Sequence, residues 1–463
     1  MNDIMASTAQ DTASFDLLIL GDGASAALVA LRALQQAGAG RRIGLVGPGT
    51  PGVGIAYATD DRGHRLNVPA GKMSALADVP GDFVEYLKTV GLADDVPGDA
   101  LAARYVPRTW YGGYLQARLA DAVAASAATF EHIAQRAVRL SGDAGQRQVT
   151  LADGAVLHAS RIVLALGNAL RPLPLAGAEA LPATQSIGAW DVPALRGVAA
   201  DADVLVIGTG LTLADVVVTL RSQGHQGQIL AVSRHGLLPL PHAPATPWDF
   251  DAQALLAMSL RARVRTLRGE VAAAAAAGQP WQAVFEAIRP LGVRLWTSLS
   301  RDDQRRFLRH VVRLWDVHRH RIAGEVDAVL QTALADGQLS VRSGGVRDLV
   351  RQADDRLQVT LGQGGACTVD VLINATGLQV QVAKMDDPLI AGLLADGLAV
   401  PGPHGLGLDV DVDAAGVAAL RDANGVVQPD LILVGSLRLG AQWETIAIPE
   451  LRVQAAATAA ALS

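Results

Sequence analysis

The stretch FDLLILGDGASAALVALRALQQAG, residues 15–38, sets the reading of the whole chain. In FDLLIL (15–20), residues 17–20 are an unbroken apolar run, the pattern of a strand buried on both faces of a parallel sheet. Gly21-Asp22-Gly23-Ala24-Ser25-Ala26 then follows the spacing G-x-G-x-x-A, and an amphipathic helix runs on to Gly38. Gly21 permits a tight turn, Gly23 lets backbone approach a pyrophosphate, and small Ala26 lets helix pack on strand. The helix start at Ala24 and Ser25 attracts phosphate through its free N–H groups. RIGLVG (42–47) is the next strand, so the unit is strand, turn, helix, strand: the opening of a nucleotide-binding sheet. An acidic residue usually ends that second strand and holds a ribose. Here the chain reads Gly47-Pro48-Gly49.

The pattern restarts in DADVLVIGTGLTLADVVVTLRSQGHQGQILAVSRHG (201–236), with Gly208, Gly210, Leu211 and Thr212 at the turn. Ser233, Arg234 and His235 stand at its ribose-reading position. An acid there would repel a 2′-phosphate, whereas Arg and Ser bind one, so NADPH is expected over NADH. Two further strands run into glycine, LALGN (164–168) and NATGL (374–378). They place Leu166, Gly167, Thr376 and Gly377 where a cofactor can lie against backbone, on either side of the second unit. Between 54 and 76, GIAYATDDRGHRLNVPAGKMSAL has neither helical nor strand period.

Residues about 245–335 read as a helical insertion holding four of the seven tryptophans. Ser300 and Asp303 form a capping-box start for one helix over 300–315. Arg319 and Arg321, in WDVHRHR, read as a solvated helix face, with binding of an anionic substrate or an NADPH phosphate as the alternative. Exposed tryptophans here offer a contact for a homodimer.

Composition removes several classes. A net charge of −6 with scattered arginines gives no nucleic-acid footprint. Cys367 is the single cysteine, which excludes an intramolecular disulfide and the cysteine pair of a disulfide reductase. His318 and His320 at i,i+2 face apart on a helix, so no metal site is expected. Residues 1–14 read as a polar tail without a signal-peptide core, and no run reaches the ~18 apolar residues of a membrane span. A cytoplasmic protein without a membrane partner is the expectation.

The motifs GDGASAALVA, HRLNVPAGKMSA, YVPRTWYGGYL, LALGN, GTGLTLAD, SRHGLLP, INATG and WETIAIPELR together resemble the bacterial FAD/NAD(P)-binding protein family. That family is distantly similar to flavin-containing and N-hydroxylating monooxygenases. The resemblance implies that 54–76 wraps a flavin, with Tyr57, Asn67, Met73 and Ser74 near its ring and Arg108 approaching the pyrophosphate. It adds Ala137 and Trp443 to the cofactor contacts, and a C-terminal helix starting near Thr445 aimed at the flavin. The expected architecture is α/β, with two Rossmann-like dinucleotide-binding domains and a helical insertion. The expected borders are 15–198 for the N-terminal part of the FAD domain, 199–370 for the NAD(P)H domain and 371–463 for the C-terminal part of the FAD domain. The expected function is an FAD-dependent, NADPH-using oxidoreductase, a monooxygenase hydroxylating a small molecule through a flavin peroxide. The alternatives are an NAD(P)H-dependent flavin reductase or electron-transfer flavoprotein, and a non-catalytic FAD-binding sensor. No catalytic side chain is singled out.

Overall fold

The computed structural model describes residues 14–93 and 97–462; the tail expected over 1–14 lies, apart from Ser14, outside the described residues. Strand β1 (Ser14–Leu20) enters helix α1 (Ala24–Gln36) through the first glycine turn, and β2 (Arg42–Val46) follows. Helix α2 (Arg108–Ala125) leads to β3 (Thr129–Ile133), which pairs parallel to β2. Ala137–Ser141 and Arg147–Leu151 (β4 and β5) form an antiparallel flap on β6 (Val156–Leu164). The turn from β5 to β6 carries Gly154 at φ +89°, as its Asp-Gly pair predicts. β6 runs parallel beside β1. Held between β2 and β6 and covered on both faces, β1 has Leu18, Ile19 and Leu20 fully buried. The unbroken apolar run is the sequence signature of that central position.

The middle unit is built from β7 (Ser186–Gly188), β8 (Val204–Ile207), α3 (Leu211–Ser222) and β9 (Ile229–Ser233). Three helices of the insertion matter below: α4 (Gln282–Ile288), α5 (Arg301–Arg306) and α6 (Val312–Arg319). β10 (Leu339–Ser343) and β11 (Val371–Asn374) complete a five-stranded parallel sheet in the order β10-β9-β8-β11-β7. β7 precedes the expected border at 198/199 and β11 follows the one at 370/371, yet both pair within this sheet. The chain crosses between the two units at an antiparallel pair, Ala169–Leu170 with Leu378–Gln379. The borders therefore sit at the LALGN and NATGL ends.

The chain returns to the first sheet with β12 (Val427–Leu433), parallel to β6, and ends in helix α7 (Ile448–Leu462). α1 and α7 share one apolar layer, Leu28, Leu31 and Leu34 meeting Ile448, Leu451 and Ala455. One dinucleotide-type unit is thus assembled from both ends of the chain, with the second inserted between them.

Two expectations for the insertion change. Ser300 does cap its helix, accepting from Asp303 N at 3.2 Å, but a π-helical turn at Phe307–Val311 divides α5 from α6 and resets the helical phase. Of the four tryptophans, Trp296 is buried and Trp248, Trp281 and Trp315 are partly buried. Trp296 is 3% exposed, its Nε1 donates to Gly440 O at 3.0 Å, and its ring lies 5.1 Å from that of Trp443. Trp296 thus packs on this chain's own C-terminal segment. Among the described residues, no helix is long and apolar enough to cross a membrane.

Candidate functional site

The two glycine turns repeat one geometry. Gly21 and Gly208 both have φ +125°. A Cβ on Gly21 would lie 2.1 Å from Ala165 O, and one on Gly208 would lie 2.0 Å from Ala375 O. Each first glycine is pressed against the LALGN or NATGL strand end, so no other residue fits at either place. Gly21 N donates to Val46 O and Gly208 N to Val232 O, both at 2.8 Å. Gly23 and Gly210 cap α1 and α3 without any side-chain hydrogen bond, leaving the first N–H groups of both helices free for an anion. Around the first turn stand Ala24, Ser25, Leu166 and Gly167; a Cβ on Gly435 would lie 2.9 Å from Ser25 Oγ. Around the second stand Leu211, Thr212 and Gly377, with Thr376 turned back to Asn374 Oδ1 at 2.7 Å.

Asp22 answers the missing acid. A Cβ on Gly47 would lie 2.6 Å from Asp22 Cβ, and Asp22 Oδ2 accepts from Gly49 N at 2.6 Å. The carboxylate comes from the turn itself into the space that the absent side chains of Gly47 and Gly49 leave open. An acid inside G-x-G, opposite a glycine pair, is the sequence signal for it.

At the second turn Ser233 is already engaged: its Oγ is 2.8 Å from Thr209 Oγ1 and accepts from Gly236 N at 3.0 Å. Arg234 and His235 stay exposed. Burial, with Arg313 and Arg234 nearby, pulls the Arg171 guanidinium down from its usual value. Arg171 thus feels the charge of both Arg234 and Arg313, and only Arg234 was readable from spacing.

The irregular segment closes over the first turn. A Cβ on Gly54 would lie 2.9 Å from Gly23 Cα, and Gly52 N donates to Asp22 O at 2.8 Å. Its backbone is pinned by Leu66 N to Val106 O, Ala70 N to Arg104 O and Arg108 N to His64 O, all at 2.9 Å. The Tyr57 ring lies 4.9 Å from that of Tyr111 at a tilt of 55°, and burial pushes its phenol up. Met73 and Ser74 are buried; Ser74 Oγ hydrogen-bonds Leu76 O and Val79 O, and Arg452 Nη1 of α7 donates to Ser74 O at 2.9 Å. Asn67 holds His242 through its backbone carbonyl (3.0 Å), while its side-chain amide has no hydrogen bond among the described residues. Ala137 opens β4 in the apolar layer with Leu164 and Leu433.

Arg108 is a correction. Its Nη1 and Nη2 reach Asp215 of α3 at 2.7 and 3.1 Å, and Nε donates to Arg65 O at 3.0 Å. The guanidinium is spent on the middle unit and is not brought to the first turn. His64, 3% exposed, joins the same contact: Nε2 is 2.9 Å from Thr219 Oγ1. Thr219 donates its only hydroxyl proton to Asp61 Oδ2 at 2.7 Å, so the His64 proton sits on Nε2.

The C-terminal helix begins at Ile448, three residues after Thr445. Thr445 is 2% exposed and its Oγ1 has no partner; Gln454 Nε2 donates to Thr445 O at 3.0 Å. Glu444 takes φ +66°, which costs a non-glycine residue about 1–3 kcal/mol. The strained turn delivers its carboxylate to Trp315 Nε1 (2.6 Å) and Arg319 Nε (3.1 Å). Arg321 pairs with Glu286 and is 3% exposed. Neither arginine lies on the solvated face expected of it, because the carboxylates that bury them come from remote segments.

Residues 18–169 match the family model described as FAD-NAD(P)-binding. No curated protein matches the sequence. Among solved structures, the Kutzneria sp. 744 ornithine N-hydroxylase, solved with reduced FAD, NADP+ and L-ornithine, has a TM-score of 0.64 at 15% identity, over 97% of this chain and 99% of that one. L-lysine 6-monooxygenase from Pseudomonas syringae has a TM-score of 0.65 at 17% identity, again over 97% and 99%. Thioredoxin reductase from Lactococcus lactis has a TM-score of 0.51 at 12% identity, over 97% of each. The fold is the α/β arrangement of two Rossmann-like units that these proteins share.

Proposed function

We propose that this chain is an FAD-dependent, NADPH-using oxidoreductase, a monooxygenase that hydroxylates a small molecule. The observation that carries the reading is the repeated contact of Gly21 with Ala165 and Gly208 with Ala375, each under an uncapped helix. The residues fit the cofactors: Gly21 and Gly54 let bare backbone pack closely around the turn, and Thr445 Oγ1 is a buried group without a partner among the described residues. Bound FAD and NADPH supply the electrons and the oxygen-activating chemistry.

The chain's own groups hold and orient. The free N–H groups of α1 bind the FAD pyrophosphate, and Asp22 accepts from its adenosine ribose. Residues 67–74 and the start of α7 flank the flavin ring. The positive end of α7 favours negative charge placed there on reduction. Arg234, backed by Arg171, takes the 2′-phosphate of NADPH. The insertion, fastened through Trp296, Trp315 and Arg319, keeps water from the reacting atoms as a fixed wall. The thioredoxin reductase-like fold does not bring dithiol exchange with it, because Cys367 has no second thiol.

Spectra of the purified protein, with anaerobic addition of NADPH and NADH followed by oxygen and candidate substrates, test this. Yellow protein bleached faster by NADPH, with hydroxylated product after oxygen, is the expected result. Reoxidation yielding only hydrogen peroxide with every substrate would turn the reading to a reductase. Protein that takes up no FAD would remove it.

A further inference from the structure

Four cations and three carboxylates from separate parts of the chain meet beside residues 67–74. Lys72 comes from that loop, Glu286 and Arg289 from α4 and its end, Arg319 and Arg321 from the end of α6, and Glu444 and Glu450 from the approach to α7. The pairing is uneven. Glu444 is spent on Trp315 and Arg319, and one oxygen of Glu286 on Arg321. The other oxygen of Glu286 stands 3.9 Å from both Lys72 Nζ and Arg289 Nη1, beyond hydrogen-bond reach. Arg289 has a side chain only 18% exposed and makes no side-chain hydrogen bond among the described residues. Arg321 Nε is buried without a partner, and so is Glu450 Oε2. Asp316, next to Glu444, is taken by Arg313 at 2.9 Å.

A guanidinium taken out of water with its donors unmatched is costly unless an acceptor arrives with a ligand. Burial and the neighbouring Arg319 pull the Arg289 guanidinium down, as expected of a cation lacking its counter-charge. The surroundings suit a small planar anion. The His242 ring stacks at 4.9 Å on Tyr105, whose hydroxyl has no hydrogen bond among the described residues, and His242 is tied to Asn67. This is the junction of residues 67–74, the middle unit and the insertion.

We propose that Arg289, with Arg321 Nε and the Tyr105 hydroxyl beside it, forms an anchor for a carboxylate of the substrate. A bidentate carboxylate matches the guanidinium fork and completes the pairing that Glu286 leaves open. The inference rests on the function proposed above. The same chemistry could be met by a phosphate of NADP+, and the test separates the two.

The holoprotein is titrated with glutarate and butyrate up to about 100 mM, a range that captures weak millimolar binding. Tryptophan fluorescence is one readout, since Trp281 lies 5.9 Å from the Arg321 guanidinium, and flavin absorbance is the other. NADP+ is titrated separately. Arg289→Gln and Arg289→Lys are compared with wild type, with melting temperature and FAD content as checks on folding. Saturable carboxylate binding is expected, weakened about tenfold or more by Arg289→Gln, less by Arg289→Lys, with NADP+ affinity held within about twofold. No saturable signal in wild type, or equal binding in Arg289→Gln, overturns the proposal. Loss of NADP+ binding in place of carboxylate binding assigns Arg289 to the cofactor and also overturns it. Normal FAD content with failed carboxylate binding removes this inference alone; absent FAD removes the parent reading, and the tryptophan signal still reports on the anchor.

Discussion

Arg108 and Asp215, 107 positions apart, meet in a buried two-pronged ion pair that joins the first dinucleotide unit to helix α3 of the second. Their side chains are 10% and 9% exposed. The pair lies one turn from Thr219, which closes the parallel contact to His64 and Asp61. Asp215 belongs to the helix that the second glycine turn enters, so this contact fixes how that turn sits against the first unit.

Removing one partner leaves a buried charge alone. Arg108→Met or Asp215→Leu singly is expected to cost about 3–5 kcal/mol, and the double variant much less. Denaturant unfolding checks the difference. Slower anaerobic reduction by NADPH in the double variant, at near-normal stability, would mark the pair as a positioning device.

The glycine turns separate folding from binding. Gly21→Ala and Gly208→Ala drive a methyl into a carbonyl oxygen at φ +125° and are expected to prevent folding or FAD uptake. Gly210 has ordinary φ of −89°, and nothing lies within 4 Å of a Cβ there. Gly210→Ala should therefore melt like wild type while binding NADPH at least about tenfold more weakly, by isothermal titration.

Asp22→Asn keeps the shape of the turn but loses the charged acceptor. Loss of a charged hydrogen bond of about 1.5–3 kcal/mol predicts FAD release about ten- to a hundredfold more readily on dilution. Unchanged retention would remove Asp22 from the ribose.

Arg234→Ala is expected to narrow the preference for NADPH over NADH by about tenfold or more, through the NADPH constant alone. Stopped-flow reduction with each nucleotide measures it. Equal losses for both would place Arg234 outside the phosphate site.

His242 is held down to about 4 by burial, with Arg321 adding to the effect. Unfolding restores the ordinary value of 6.5, so between about 6.5 and 4 the unfolded chain binds the extra proton. Stability should fall as pH drops through that window and be level above it. His242→Gln should flatten the acid limb of melting temperature against pH; an unaltered limb would assign the loss to other groups.

Some features were legible because their causes are local. The turns at 21–26 and 208–213, the strand runs beside them, the Asp153-Gly154 hairpin and the Ser300 cap each follow from residues a few positions apart. Glycine at a position where a Cβ would strike a carbonyl leaves a mark in any sequence. The loop at 54–76 was legible only as an irregularity. Its lack of period shows that local hydrogen bonding does not organise it, and the strands of contact from Val106, Arg104 and Tyr114 that do are remote in sequence.

Charges were where reading along the chain went astray. Arg108 was assigned to a phosphate, and Arg319 and Arg321 to solvent, because spacing shows which face of a helix a residue occupies but not what packs on it. Asp215, Glu444 and Glu286 decide those fates, and each reaches its partner only after the two units and the insertion have docked. The borders of the middle unit shifted for the same reason, since β7 and β11 are joined by ladder hydrogen bonds between residues 185 positions apart or more. The amino-acid order alone determined two dinucleotide-type turns, their helices and the absence of a thiol pair, because sterics and composition act locally. The tertiary structure decided which cations are paired, that the Asp22 carboxylate lies beside Gly47 and Gly49, and which guanidinium is left without an acceptor. Long-range electrostatics and packing depend on distances that only the folded chain defines.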